Sequence, residues 1–125
     1  MSIGGNVRAF IQVKTESKNI IHENKPVWVD CLSVLGWLDL SAGDSKHTIF
    51  NAKVQESTHI FLCDYQKLSG TITVGEQETA VDVTSENARM VIDGLVYEIL
   101  LIDNPMGMNQ HYEIYLRFIG GQNER

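Results

Sequence analysis

The sequence predicts a small all-β domain, an antiparallel barrel or sandwich of about six to seven strands with one short helix and a long loop. Two observations predict it. Short apolar segments with period-2 alternation recur along the chain, and turn residues separate them at short intervals. This pattern is typical of small antiparallel barrels and sandwiches, in which each strand places alternate side chains on one core.

The length and composition favour a single domain over residues 1–125. The chain has 125 residues, of which 43% are hydrophobic and 21% are charged. A chain of this length usually builds one core, and its composition lies far from the polar, highly charged signature of disorder. We therefore expect one folded unit without a linker, followed by a flexible tail over residues 120–125.

The first two strands are predicted from alternation and from β-forming residues. Apolar side chains occupy every second position from Val7 to Val13. A mostly polar connection over residues 15–25 then leads into a long β-rich segment over residues 26–40. Gly36 within that segment predicts a bend or a bulge, because glycine weakens the interior of a strand.

The next elements are a short helix and a third strand. Asp44 or Ser45 is a suitable N-terminal cap for a helix over residues 46–54. Residues 57–63 are rich in apolar and β-branched side chains and predict a strand. The helix prediction rests on its cap, because its interior contains poor helix formers.

Residues 64–87 form a long segment rich in Gly, Ser, Thr and Glu. Only residues 71–74 and 80–83 alternate, and they do so weakly. The segment is therefore either an exposed mobile loop or a hairpin that needs a partner. Loops of this length in compact domains are usually functional or disordered, which makes the segment a candidate functional region.

The last part of the chain predicts two successive hairpins. Residues 90–92 and 95–103 flank Asp93-Gly94, a dipeptide favoured where a tight turn needs positive φ. A second turn then returns the chain into residues 112–118, whose apolar side chains again alternate.

Charge and segment lengths exclude several functions. The net charge is -6, from 16 acidic and 10 basic residues, so the surface as a whole repels a phosphate backbone. The start of the chain lacks the basic and apolar regions of a signal peptide, and no apolar run approaches the roughly 20 residues of a membrane-spanning helix. We expect a cytoplasmic, non-membrane protein that does not bind DNA tightly.

No residue pattern predicts catalysis, a metal site or a cofactor. Cys31 and Cys63 lie in apolar strand contexts, which favours buried, reduced thiols. The four histidines do not form a metal-binding pair, and no phosphate-binding or nucleophile motif is present. The carboxylates Glu76, Glu78, Asp82 and Glu86 are predicted to be solvated loop charges. We therefore expect a protein that is not an enzyme and has no cofactor.

The aromatic residues are predicted to pack mainly in the core. A base-stacking platform would need interleaved Lys and Arg, and the basic residues are scattered instead. Core packing is therefore expected for most of the following: Phe10, Trp28, Trp37, Phe50, Phe61, Tyr97, Tyr112 and Phe118.

The order of these elements carries a resemblance to a known family. A valine-led strand at residues 29–40, a Leu-Ser-Ala-Gly-Asp break at residues 40–44 and a Thr-His pair at residues 58–59 follow one another. Residues 88–99, ARMVIDGLVYEI, then form an Asp-Gly hairpin. Over residues 28–117 this series resembles the phage head-tail joining family, the head-closure adaptors of tailed bacteriophages and prophages. Family members often carry basic residues where this chain has Asp44 and Asp64.

The resemblance implies a structural role in the virion, after assembly in the host cytoplasm. Such a protein is a β-barrel that forms a homo-oligomeric ring at the head-tail connector. The ring meets portal and adaptor proteins above and tail proteins below. It closes the channel after DNA packaging, offers a docking surface for the tail, and has packaged DNA as a neighbour without reading its sequence.

The long segment is the candidate contact between subunits or with the channel. We expect it to be mobile in the monomer and to gain order in the ring, where its apolar residues would add strands between subunits. Its acidic residues would face DNA or solvent. The candidate residues are Ile72, Val74, Glu76, Glu78, Val81, Asp82, Val83 and Glu86.

Two other functions remain open from the sequence. A tail-terminator or another minor tail ring protein would also be small and β-rich. A barrel-type module that binds a peptide or a nucleic acid would need a concave aromatic and basic face, and the acidic charge disfavours the nucleic-acid version.

Overall fold

The predicted all-β fold is confirmed by the structure, a computed structural model. It describes residues 4–18, 24–40 and 56–121, except for the side chains of residues 16–18 and 24–26. Within these ranges the chain forms eight strands and one 3-10 turn, Pro105–Gly107. The strands are β1 (Val7–Lys18), β2 (Asn24–Leu40), β3 (His59–Asp64), β4 (Ser69–Val74), β5 (Gln77–Asp82), β6 (Ala88–Ile92), β7 (Leu95–Asp103) and β8 (His111–Gly121).

Six of these strands close into an antiparallel barrel. Their order around the barrel is β1-β2-β3-β8-β7-β6, with β6 pairing back to β1. Strands β4 and β5 form a separate two-stranded sheet between β3 and β6 in the chain. Because the barrel is closed, both edges of every barrel strand pair with a neighbouring strand over part of the strand's length. Paired edges are protected from pairing with strands of other chains. Strands β1 and β8 lie on opposite sides, three strands apart in either direction.

The core follows the predicted alternation. On β1 the side chains of Ala9, Ile11 and Val13 are buried, while Phe10 and Lys14 are exposed. The other barrel strands add inward side chains in the same way. The largest fully buried ones are Phe61, Ile11, Met90, Ile99, Ile114 and Leu116.

The Asp-Gly turn is confirmed between β6 and β7. Asp93 and Gly94 have φ values of 52° and 78°. Two successive positive φ values are the requirement of a type I′ turn, whose twist matches that of the flanking strands. The turn sets the register in which Val91 pairs with Val96.

The predicted polar connection over residues 15–25 was wrong, because most of it extends the first two strands. β1 continues to Lys18 and β2 begins at Asn24, and the two pair throughout. Polar side chains are compatible with a strand, since the ladder is made by backbone groups; Thr15 Oγ1 also donates to the Val27 carbonyl over 3.2 Å.

Two further predictions need correction. The described residues contain eight strands instead of six to seven, because the weak alternation between β3 and β6 forms two regular strands. β8 extends to Gly121, so the start of the predicted tail is strand; residues 122–125 lie outside the described residues. The predicted helix over residues 46–54 also lies outside them.

The bulge in β2 lies at Cys31 and not at the predicted Gly36. Ile11 pairs with Leu32, and the next residue pairs with Asp30, so Cys31 is the extra residue. Gly36 has a different role. A Cβ there would lie 2.4 Å from the Leu62 carbonyl oxygen, so glycine permits the close approach of β2 and β3.

Over the described ranges, no helix has the length and apolarity that crossing a membrane requires.

Candidate functional site

The candidate segment is a regular hairpin. β4 and β5 pair in register from Ser69 with Asp82 to Val74 with Gln77. Gly75, at a φ of 63°, lies in the two-residue turn between them. Because successive side chains alternate, Ile72, Val74 and Val81 share one face. Glu78 and Asp82 are on the other face, and Glu76 is in the turn.

The hairpin is anchored to the barrel of its own chain. Ile72 and Val83 are only 4% and 9% exposed, and they belong to the same buried cluster as the barrel core. Val81 packs against that cluster. Gly70 allows the backbones to meet, because a Cβ there would lie 2.4 Å from the Cys31 carbonyl oxygen. The partner that the hairpin needs is therefore the barrel itself.

Backbone and side-chain hydrogen bonds fix the base of the hairpin. The Val83 amide donates to the Leu68 carbonyl over 2.8 Å, which closes the two ends of the hairpin on each other. Asn87 Nδ2 donates to the Asp82 carbonyl over 2.9 Å, and the Asn87 carbonyl accepts from the Lys14 amide over 2.8 Å. Asn87 thus links the hairpin to β1.

The outer surface of the hairpin is acidic. Glu76, Glu78, Asp82 and Glu86 are all exposed, as predicted for solvated charges. Residues 69–87 contain no Lys or Arg, so no cation within the segment offsets these charges. Val74, near the turn, is 43% exposed. Of the eight candidate residues, the structure buries two in the core, half-buries Val81 and leaves the other five exposed.

A cleft opens between the base of the hairpin and the end of the barrel. Its volume is about 590 Å³. Tyr65 and Tyr112 stack across one side of it, with ring centroids 5.1 Å apart. Burial raises the pKa of Tyr112, so its hydroxyl is protonated at neutral pH. The lining residues are Tyr65, Lys67, Leu68, Val83, Thr84, Ser85, Leu101, Ile102 and Tyr112.

A polar network that the sequence did not predict crosses the outside of β2, β1 and β6. Gln12 Nε2 donates to Asp30 Oδ1 over 2.9 Å, and Arg89 Nε donates to Gln12 Oε1 over 2.8 Å. The guanidinium of Arg89 lies 4.5 Å from the ring centroid of Trp28, a cation–π distance. Strand pairing brings these residues together from distant positions, so no local pattern in the sequence signals the network.

The prediction of core packing holds for some aromatic residues and is wrong for others. Phe61 and Tyr97 are buried, while Trp28 and Tyr112 are half-buried. Phe10, Trp37 and Phe118 are 46%, 43% and 44% exposed, so they are surface residues. The position of Phe10 was visible in the sequence, because it alternates with residues that face the core. Phe50 lies outside the described residues.

Both cysteines are free, as expected for reduced thiols. Cys63 is fully buried, and burial together with the nearby Asp64 carboxylate raises its pKa to about 11. Cys31 is half-buried, and burial raises its pKa as well. Both thiols are therefore protonated at neutral pH, which is the unreactive form.

The histidines with described side chains have structural contacts. The His59 ring lies edge-on to Tyr97 with centroids 5.1 Å apart, and burial lowers its pKa. His111 Nε2 lies 3.1 Å from Glu113 Oε2. Within the described residues, no three His, Cys, Asp or Glu side chains are placed to hold a metal ion.

Comparison with models of known protein families gives no match, and comparison with curated proteins gives no significant match. The resemblance to head-closure adaptors therefore stays a prediction from the sequence.

Proposed function

We propose that this protein is a structural component of the head-to-tail connector of a tailed bacteriophage or prophage. In this role a ring of copies closes the DNA channel after packaging and provides the docking surface for the tail. Portal and adaptor proteins lie above the ring and tail proteins below it. The observation that carries the proposal is the combination of a closed barrel with one anchored, acidic hairpin.

Two features of the molecule support a connector role. In the sequence, the ordered series of segments and the Asp-Gly hairpin resemble those of head-closure adaptors, and this resemblance implies the β-barrel that the chain forms. The hairpin is an appendage of this barrel. One side of it is fixed to the barrel core through Ile72, and its other side contains no Lys or Arg. A negative surface lets DNA pass without adhering to it, since DNA binding depends on neutralising phosphates.

In the connector, the exposed part of the hairpin makes the functional contacts. Glu76 in its turn and Glu78 near the start of β5 face the channel, and Val74 contacts a neighbouring copy. Ile72 and Val83 anchor the hairpin instead of adding strands to another subunit, because their side chains belong to the chain's own core. Deleting the whole hairpin would expose that core, so substitutions at its turn are the sharper experiment.

The test is electron microscopy of particles from a phage that carries a stop codon early in this gene. Tailless heads that have lost their DNA, beside separate normal tails, are the expected result. Normal DNA-filled heads with aberrant tails would instead assign the protein to the tail as a terminator or minor ring protein. Intact virions would overturn the proposal.

A further inference from the structure

Opposite walls of the barrel differ in charge. We define the basic wall as the outward residues of β1 from Arg8 to Lys14 and the residues paired with them. It carries three cations, Arg8, Lys14 and Arg89, on β1 and the adjacent β6. Among the described side chains of this wall there is one carboxylate, Asp30, and it accepts a hydrogen bond from Gln12.

The acidic wall lies on the other side of the barrel. We define it as the outward residues of β8 from His111 to Arg117 and their partners on β3 and β7. Its only described cation besides the histidine is Arg117, which bonds to Glu98 and to Glu56. Its carboxylates are Asp64, Asp103, Glu113 and Glu98, of which Glu98 pairs with Arg89 at the edge where the two walls meet.

The basic wall adjoins an exposed apolar patch. Phe10, Leu35 and Trp37 are 46%, 44% and 43% exposed, and we call them the outer apolar patch. Leu35 pairs with Arg8, and Phe10 lies two residues further along β1 on the same outward face, so the patch and the cations intermingle. Exposed aromatic residues beside cations are typical of protein interfaces.

The acidic wall offers matching apolar surface. Ile60, Tyr115 and Leu101 are half-buried and lie side by side, because Tyr115 pairs with both of the others. Leu62 pairs with Glu113 next to them and with Trp37 on its other side, where the acidic wall meets the outer apolar patch. A surface with Tyr115 between two aliphatic side chains and carboxylates around them complements the outer apolar patch and its cations.

We propose that the basic wall and outer apolar patch of one copy pack against the acidic wall of the next copy. The inference rests on the proposed ring and names the surfaces that build it. The two walls are centred on opposite strands, β1 and β8, so a row of copies joined in this way has a free basic wall at one end and a free acidic wall at the other. Such head-to-tail contacts produce rings when the rotation closes.

A second copy is the occupant that the charges favour. The chain as a whole is acidic, at -6, so two copies repel each other in most orientations. Contact between opposite walls is the orientation that brings cations to carboxylates. The interface therefore has a defined direction, and its strength falls as salt is added.

The test is sedimentation equilibrium of the full chain and of charge-reversed variants over a range of concentrations up to millimolar. Arg8→Glu and Glu113→Arg each weaken self-association by about tenfold or more. Lys67→Glu is the matched control for Arg8→Glu, because it makes the same change of charge at a residue that lies on neither wall. Leu35→Ser, on the outer apolar patch, weakens association without changing charge. Thermal melting verifies that every variant is folded.

Mixing the two reversed variants gives the decisive result. Association recovers in an equimolar mixture of Arg8→Glu and Glu113→Arg, because the unchanged basic wall of one meets the unchanged acidic wall of the other. A Glu113→Arg variant that associates normally would overturn the proposal, because the contact would then not involve the acidic wall. Wild-type chain that stays monomeric at millimolar concentration would overturn it too.

The outcome is separable from that of the connector proposal. Monomeric chain in solution together with tailless, leaking particles from the stop-codon phage would reject the wall contact and keep the connector role. Association through the walls together with intact virions would reject the connector role and keep the contact.

Discussion

The barrel and the β4–β5 hairpin follow the same period-2 alternation but differ in how many buried side chains hold them. Every barrel strand contributes side chains to the core, including the fully buried Phe61 and Ile99. The hairpin itself depends on Ile72, with Val83 just beyond its second strand. The hairpin should therefore open locally at a lower free energy than the barrel unfolds.

The largest expected effect comes from the barrel core. Phe61→Ala removes a fully buried ring and leaves a cavity, which should lower the free energy of unfolding by about 3–5 kcal/mol. Urea denaturation measures the loss. Phe118→Ala is the matched control, since that ring is 44% exposed and its removal should cost far less. Equal losses in the two variants would contradict the assigned core.

Ile72→Ala separates the hairpin from the barrel. The side chain is 4% exposed, so its truncation should cost about 2 kcal/mol, at the low end for buried aliphatic residues. Hydrogen exchange should accelerate in residues 69–82 and change little in the barrel strands. Val74→Ala, on an exposed side chain of the same face, is the control. Uniform acceleration across the chain would show that hairpin and barrel open together.

The stability of the protein at alkaline pH tests the burial of Cys63 in the barrel core. The pKa of Cys63 is raised from 9.0 to about 11 in the folded state, so the native thiol holds its proton more tightly than the unfolded one. The stability that this provides is complete below pH 9 and is lost as the pH rises to 11. Urea unfolding across this range should show a decline that is smaller in Cys63→Ala than in Cys31→Ala. An equal loss of stability with rising pH in the two variants would contradict the raised pKa of Cys63.

Asn87→Ala tests the hydrogen bonds at the base of the hairpin. The variant loses the bonds from Asn87 Nδ2 to the Asp82 carbonyl and from the Thr84 amide to Asn87 Oδ1. Since the group is partly solvated, the free energy of unfolding should fall by about 1 kcal/mol. Thermal denaturation measures it. A loss as large as that of Ile72→Ala would mean that polar contacts, and not apolar burial, hold the hairpin.

Local patterns in the sequence predicted most of the barrel. Alternation around Ile11 and the Asp93-Gly94 turn identify strands and a hairpin without knowledge of their neighbours. The hairpin was harder to predict, because its outer face is mostly polar and only Ile72, Val74 and Val81 mark the inner one. Their burial depends on the barrel surface beside Cys31, which is distant in sequence.

The surfaces were less predictable than the strands. Phe10 and Trp37 were expected mainly in the core, because an aromatic residue in a strand usually packs inside. Their strand positions point outward instead. The network of Arg89, Gln12 and Asp30 joins three strands, and a single sequence contains no signal for such pairing. The eight candidate residues were predicted as one group, and the structure divides them into an anchor and an exposed acidic part.

The most direct test of the account is complementation of the stop-codon phage with a chain carrying Glu76→Lys and Glu78→Lys. Both side chains are exposed, so the variant should fold as stably as the wild type. Thr71→Lys with Thr73→Lys is the control, because it adds two lysines to the same hairpin without removing a carboxylate. DNA retention in the complemented particles is the quantity to measure. We predict that the Glu76/Glu78 variant enters particles but fails to retain DNA normally, while the control restores retention. Full retention with the Glu76/Glu78 variant would contradict a role of the acidic turn in closing the channel.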